Sequence, residues 1–217
     1  CFSVRGIARE LSAITKAITF KYPTSLKLEN MAEKEVGQHS HSIAGVCSDV
    51  CHAFASIVIN GVNNQGPSPD WLVNSLNKFG QKTISPLVDI SNYFMFLLGR
   101  PSHIFDLDKI CKKEQNLEIR EGNATEKLVL LNGDEIENLA NTITIADSTG
   151  PLALAGIMGG SSTMVTANTT SILVESAVWL PALIRGKARR FSLISEAASR
   201  FEKGVDPETL EDDFEAI

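Results

Sequence analysis

The chain has 217 residues, is 43% hydrophobic and carries a formal net charge of −6 with a pI near 5.3. Such a composition supports one large packed core or two small ones and excludes a disordered or low-complexity polymer. It also excludes a protein that grips nucleic acid over its whole surface, so any basic patch must be local.

From Ser3 to Ile18, the apolar residues Val4, Ile7, Ala8, Leu11, Ile14 and Ile18 recur at the spacing of an amphipathic helix. Arg5, Arg9, Glu10 and Lys16 fall on its other side. Residues 28–42 are polar and read as a connector holding His39 and His41, both expected to be solvated. The β-branched, alternating run "SIAGVCSDVCHAFASIVINGV" predicts strands. In "PSPDWLVNSLNKFG", Ser68 reads as an N-cap, Pro69 as the first helical residue and Gly80 as the stop. Trp71, Leu72, Leu76 and Phe79 share one face of that helix. Pro86 opens an apolar segment that ends at Gly99, and "RPSHIFDLDKI" leads into a strand-rich middle.

Asn132-Gly133 in "KLVLLNGDEI" predicts a hairpin closed by a two-residue turn, and further strands are expected at Asn141 to Ala146 and Ser171 to Glu175. Helix returns in "WLPALIRGKARRFSL" and "SEAASRFEKG". These stretches concentrate Arg185, Lys187, Arg189, Arg190, Arg200 and Lys203, six of the twenty Lys and Arg residues. Here is the local basic stripe. Strands mixed with segregated helices, without regular βαβ alternation, predict an α+β fold of mixed β-sheets. The chain begins without Met and ends within a predicted helix from Pro207 onward, as a fragment of a longer polypeptide would.

The four cysteines, Cys1, Cys47, Cys51 and Cys111, form no CxxC pair, which predicts a reduced cytoplasmic protein. Cys47-x3-Cys51-His52 has no second half that would complete a metal site, so its cysteines read as small strand hydrophobes. Asn123-Ala124-Thr125 and Asn168-Thr169-Thr170 match the glycosylation pattern without other signs of secretion. No apolar run approaches the roughly 20 residues of a membrane span.

Two features carry chemistry. Gly156, Gly159 and Gly160 follow an apolar run, but neither GxGxxG nor GxxxxGK[ST] is present, so a close approach of ligand or strand fits better than a phosphate loop. Glu175 in "ILVESA" has Leu173 and Ala177 as same-face neighbours, and a carboxylate on an apolar face needs a partner. A substrate hydroxyl is one such partner. His103, between Pro101 and Phe105, is a restrained imidazole.

The motifs "CFSVRGIARELSA", "VNNQGPSPDWL", "ISPLVDISNYFMFLLGRPSHIFDLDKI", "KLVLLNGDEIE", "PLALAGIMGG" and "ILVESAVWLPALIRGKARRFSLISEAASRFEKGVDP" occur in this order. Together the series resembles the central editing region of bacterial phenylalanyl-tRNA synthetase β subunits, over residues 1–217. The resemblance implies the editing-domain fold and an (αβ)2 enzyme that uses ATP and magnesium on its α subunit, with no cofactor in this region. It further implies hydrolysis of tyrosine wrongly esterified to tRNA(Phe). The implied catalytic positions are Ser91, Asn92 and His103, near the ester and terminal ribose. Ala155, Gly156, Gly159, Glu175, Ser195 and Ala197 are implied to bind the substrate, with Glu175 and the Gly159 amide reading the phenol. Ser91 and Ser195 stand where relatives often carry Thr, and Ala198-Ser199 replaces a more usual Ser-aromatic pair.

No Ser-His-Asp or Cys-His nucleophile is evident, so the expected reaction is attack by a positioned water, with His103 the first candidate to move a proton. Arg185, Arg189 and Arg190 are expected to hold RNA phosphates. Two other readings stay open: a tRNA-binding or assembly module without catalysis, and a small-molecule domain whose glycine loop holds an anion.

Overall fold

A computed structural model describes residues 2–15, 43–44, 49–110 and 117–217. Cys1, Cys47, Cys111, His39, His41, the polar connector and the last predicted turn of the first helix lie outside those residues.

In chain order the elements are α1 (Val4–Thr15), β1 (Ile43–Ala44), β2 (Cys51–Asn60), α2 (Asp70–Lys78), α3 (Pro86–Leu98) and β3 (Ser102–Asp106). Then come β4 (Leu117–Glu121), β5 (Lys127–Val129), β6 (Glu135–Glu137), β7 (Ile143–Asp147), β8 (Gly150–Leu154), β9 (Met158–Gly159) and β10 (Ser171–Trp179). Four short helices close the chain: α4 (Pro181–Ile184), α5 (Lys187–Arg190), α6 (Glu196–Phe201) and α7 (Leu210–Ala216). The strands form a five-stranded sheet ordered β1-β4-β7-β8-β9, a three-stranded antiparallel sheet ordered β2-β10-β3, and the β5-β6 hairpin. This is the α+β architecture expected from the sequence.

β10 explains much of the arrangement. Residues Ile172 to Trp179 are buried without interruption, because the strand is central in its sheet and covered on both faces. Leu173, Ala177 and Trp179 point into the larger core, with Phe105 from β3 and Leu117, Ile119, Ile145 and Leu154 from the five-stranded sheet. The alternate residues Ile172 and Val174 meet Leu87 of α3, Ile104 and Val165 on the other side, with Phe214 of α7 packed against them. Period-2 alternation therefore serves two apolar layers, and polar residues have no water-facing side to occupy.

α3 begins with Pro86 at its first position and ends at Gly99, whose φ of +82° supplies the left-handed turn that leads directly into β3. Beyond it, Arg100 and Asp213 form a buried ion pair, and Arg5 joins the same carboxylate, which ties α7 to α1 and to the end of α3.

Three local expectations change. Ser68 does not cap α2; its hydroxyl is buried and donates to Asp89 of α3, leaving Pro69 at the N-cap. Trp71 shares the predicted face but stays 57% exposed, edge-on to Tyr93. The Asn132-Gly133 turn is not a two-residue one. Leu130 N–H donates to Asp134 O and Gly133 N–H to Leu130 O, enclosing a three-residue loop with Gly133 at φ +89°. A two-residue type I′ turn needs positive φ at both central positions, and Asn132 does not adopt it.

Candidate active site

The glycine turn and the lone acid meet in one pocket of about 70 Å³, between the two sheets. The turn is the β8-β9 connection: Ile157 N–H donates to Leu154 O, and Gly156 takes φ +67° at the third position, where a type II turn requires glycine. Its small size matters as well, since a Cβ there would lie 2.8 Å from Trp179 Cδ1. Leu131 N–H donates to Gly159 O and Gly160 N–H to Leu152 O, so the β5-β6 hairpin and β8 clamp the turn.

Opposite it stands Glu175, 6% exposed, on β10. Its register partner on β3 is His103, and on β2 it is Ser56. Residues directly opposite in an antiparallel pair project side by side from one face. No hydrogen bond among the described residues reaches the Glu175 carboxyl, and burial pushes its pKa from 4.5 up to about 8. The His103 ring packs edge-on to Phe105 at 4.4 Å between centroids, and its buried Nε2 has no hydrogen-bond partner among the described residues. Burial lowers its pKa from 6.5 to about 4. At neutral pH the pocket therefore holds a neutral acid beside a neutral imidazole, both with hydrogen-bonding capacity unmet among the described residues.

Gly159 closes the constellation. A Cβ on it would sit 2.3 Å from His103 Cε1, so only glycine lets the ring lie against the turn. Gly159→Ala is expected to displace His103, to destabilise the protein by about 1 to 3 kcal/mol, and to reduce any His103-dependent turnover at least about tenfold. Thermal melts and initial rates on the same preparation check both.

The pocket brings together His103, Gly156, Gly159, Glu175 and Ala197. Ser91, Asn92, Ala155 and Ser195 do not line it. Ser91 Oγ lies 2.9 Å from Ser102 O and from Ser102 Oγ, so it secures β3 to α3. Ser195 caps α6, accepting from Ala198 N–H, and donates to Ile157 O at 2.6 Å, which fastens α6 to the glycine turn. A serine keeps both bonds that a threonine would make. Ala155 is the buried corner of the turn, and Asn92 is half-buried on α3 with no side-chain hydrogen bond among the described residues. Ser102, Trp179 and Phe201 line the pocket and were missed by sequence reasoning. For Trp179, the aromatic two turns of alternation beyond Glu175 on the same face was the available signal.

The basic stripe is divided. Arg190 gives its guanidinium to Ala140 O and Asn138 O and lies over the Phe191 ring, so it also braces α5 against the segment before β7. Arg185 and Arg189 remain exposed, with Arg185 donating to Glu202 O at 3.3 Å. Cys51 is buried and His52 exposed, and the described residues contain no group of three or more metal-ligating side chains.

The strand-borne acid, the imidazole across from it and the glycine turn define a domain with a buried polar pocket in an α+β frame. Residues 50–217 match the B3/4 domain family, and the chain belongs to it. Over its whole length the chain is also similar to phenylalanine–tRNA ligase beta subunits. It is 43% identical to that of Cupriavidus pinatubonensis, 45% to that of Burkholderia pseudomallei and 39% to that of Bordetella pertussis, and it spans about a quarter (26%) of each. A solved N-terminal fragment of the Pyrococcus horikoshii phenylalanyl-tRNA synthetase beta subunit aligns over 66% of this chain and 46% of that one, at 16% identity and a TM-score of 0.44.

Proposed function

We propose that this chain is the editing region of a phenylalanine–tRNA ligase beta subunit and hydrolyses the ester of tyrosyl-tRNA(Phe). The observation that carries the reading is Glu175: a buried acid with no hydrogen-bond partner among the described residues, beside His103, whose Nε2 has none either, in a mainly apolar pocket. Tyrosine differs from phenylalanine by one hydroxyl. A site whose polar groups stay unpaired without that hydroxyl discriminates far better than an apolar pocket that merely tolerates it.

In this reading the phenol lies between Glu175 and the Gly159 amide, and the ring rests against Gly156, Ala197, Trp179 and Phe201. His103 is too weak a base at a pKa of about 4 to strip a proton efficiently at neutral pH. Its neutral imidazole instead orients the attacking water or a terminal ribose hydroxyl, and placement supplies most of the rate. Ser91 and Ser195 act through Ser102 and the glycine turn as positioning residues. Asn92 is assigned to the ester end of the substrate. The whole enzyme is an (αβ)2 cytoplasmic ligase that consumes ATP with magnesium on its α subunit, and this region holds neither.

The test is deacylation of tyrosyl-tRNA(Phe) against phenylalanyl-tRNA(Phe) by the intact protein. Hydrolysis of the first only supports the reading; hydrolysis of neither reduces the region to a binding module. Arg185 and Arg189 are assigned to the RNA. Charge reversal at both is expected to weaken tRNA(Phe) binding more at low salt than at high salt, whereas Arg190→Glu lowers the melting temperature by losing its backbone ties. Filter binding across a salt series and thermal melts separate these effects.

A further inference from the structure

A second groove, of about 290 Å³, is lined by Arg5 and Arg9 of α1, Gly99 at the end of α3, Arg200 of α6, and Lys203 and Asp206 just beyond α6. We infer that this groove seats a phosphodiester of the RNA strand whose 3′ end enters the Glu175 pocket, an inference that rests on the tRNA reading above.

Charge comes first. Four cations face one carboxylate, and Asp206 already accepts Glu208 N–H on Oδ1. Arg5 is committed to Asp213 and to Leu98 O, so it contributes a fixed positive wall. Lys203 lies 4.3 Å from the Phe2 ring centre and reaches Ser199 O at 3.3 Å. Among the described residues Arg9 makes a long contact of 3.8 Å with the neighbouring Glu10, both side chains being about half exposed.

Arg200 is the built element. It is 4% exposed, packs over Phe96 at 4.8 Å, and bonds Glu196 through Nη1, yet its buried Nε has no partner among the described residues. A buried guanidinium with an open donor is poorly satisfied, and an anion's oxygen would satisfy it.

Continuity supplies the identity of the anion. The groove and the pocket share two walls. α6 gives Ala197 and Phe201 to the pocket and Arg200 to the groove, and the segment after α3 gives Gly99 to the groove and Pro101 to His103 to the pocket. At 1.5 Å of rise per helical residue, Ala197 and Arg200 stand about one turn apart. A strand whose terminal ester occupies the pocket carries its next phosphodiester one nucleotide away, so cations about one helical turn from the pocket wall are placed to meet it.

The test uses the intact protein with Arg9→Ala and Lys203→Ala combined. Arg200 is left in place because its packing on Phe96 couples it to the fold. Two substrates are compared: tyrosyl-tRNA(Phe), and tyrosyl-adenosine, which has the terminal ester but no phosphodiester. The variant is expected to melt like the parent, to hydrolyse tyrosyl-adenosine at the parent rate, and to show a raised KM for the tRNA with unchanged kcat. Losing two single-strand phosphate contacts flattens the salt slope by about 1.4. The parent then loses about sevenfold more tRNA affinity than the variant between about 50 and 200 mM salt.

A tRNA KM and salt slope equal to the parent's overturn the proposal while leaving the editing reading intact. Saturable binding of inorganic phosphate in the groove with no change in tRNA KM on substitution overturns it too, as a site for free anions. Should the parent hydrolyse neither substrate, the editing reading fails on its own, and direct tRNA binding with the same salt criterion still decides the groove.

Discussion

Glu175→Ala is expected to cut discrimination between tyrosyl and phenylalanyl esters by about 10- to 150-fold above pH 8, where the lost bond is charge-assisted and worth about 1.5 to 3 kcal/mol, and by about 2- to 13-fold below it, where the bond is neutral and worth about 0.5 to 1.5 kcal/mol. The carboxyl faces the pocket and no donor among the described residues reaches it, so in the proposed reading the substrate phenol is its partner. The burial that raises its pKa to about 8 adds a signature. Below that pH the acid is protonated and the proposed bond to the phenol is neutral; above it the acceptor is already ionised. Parent discrimination should therefore improve as pH rises through 8, and Glu175→Gln should fall between parent and alanine with no such rise. Measuring kcat/KM for both esters from pH 6 to 9 checks this. A tyrosine-to-phenylalanine ratio untouched in Glu175→Ala, at any melting temperature, assigns the phenol to another residue.

The same two side chains are expected to leave opposing marks on stability. Glu175 is raised from 4.5 to about 8, so its contribution is complete below pH 4.5 and is lost as pH climbs to 8, because the folded state holds the proton. His103 is lowered from 6.5 to about 4, so its contribution is complete above pH 6.5 and is lost as pH falls to 4. Between 4.5 and 6.5 the folded pair, neutral acid and neutral imidazole, binds as many protons as the unfolded pair, carboxylate and imidazolium. The two slopes cancel there, and above 6.5 only the Glu175 loss remains, at about 1.4 kcal/mol per pH unit. Glu175→Gln should thus gain stability over the parent as pH rises from 6.5 to 8. His103→Gln should lose stability progressively from 4.5 to 8, with no flat region. Denaturant titrations of the three proteins at fixed pH steps read these differences, and parallel curves for all three would show that folding leaves both pKa values unshifted.

Much of this arrangement was legible before any coordinates. The apolar segment within Ser171 to Glu175 already predicted a strand, which in the structure runs on to Trp179, and the acid at its end already required a partner. The helix at Asp70–Lys78 and the stop at Gly99 followed from proline and glycine placement. What the sequence hid depends on register and on side chains that meet across long separations. Nothing local says that His103 stands opposite Glu175, because strand pairing is decided by the whole sheet. Ser68 looked like a cap because its rival partner, Asp89, lies in the next helix. Asn132-Gly133 signalled a tight turn, and the G1-type loop that formed uses the same glycine one position later in the turn. Ser195 and Ser91 read as contact residues, whereas each spends its hydroxyl on the scaffold that holds a contact residue.

β10 is hydrogen-bonded along both edges and buried on both faces, whereas α1 contains no buried residue. Native-state hydrogen exchange would rank these two elements at opposite ends. Backbone amides of a doubly paired, doubly covered strand exchange only when the whole domain opens, while a helix with an exposed apolar face exchanges through local fraying. The floor of the Glu175 pocket thus belongs to the last cooperative unit to unfold, and the cationic groove borrows one wall from a unit that opens far more cheaply. In the proposed reading this couples a rigid amino-acid site to a more loosely held RNA wall, so that fluctuations releasing the RNA would not disturb the atoms around Glu175.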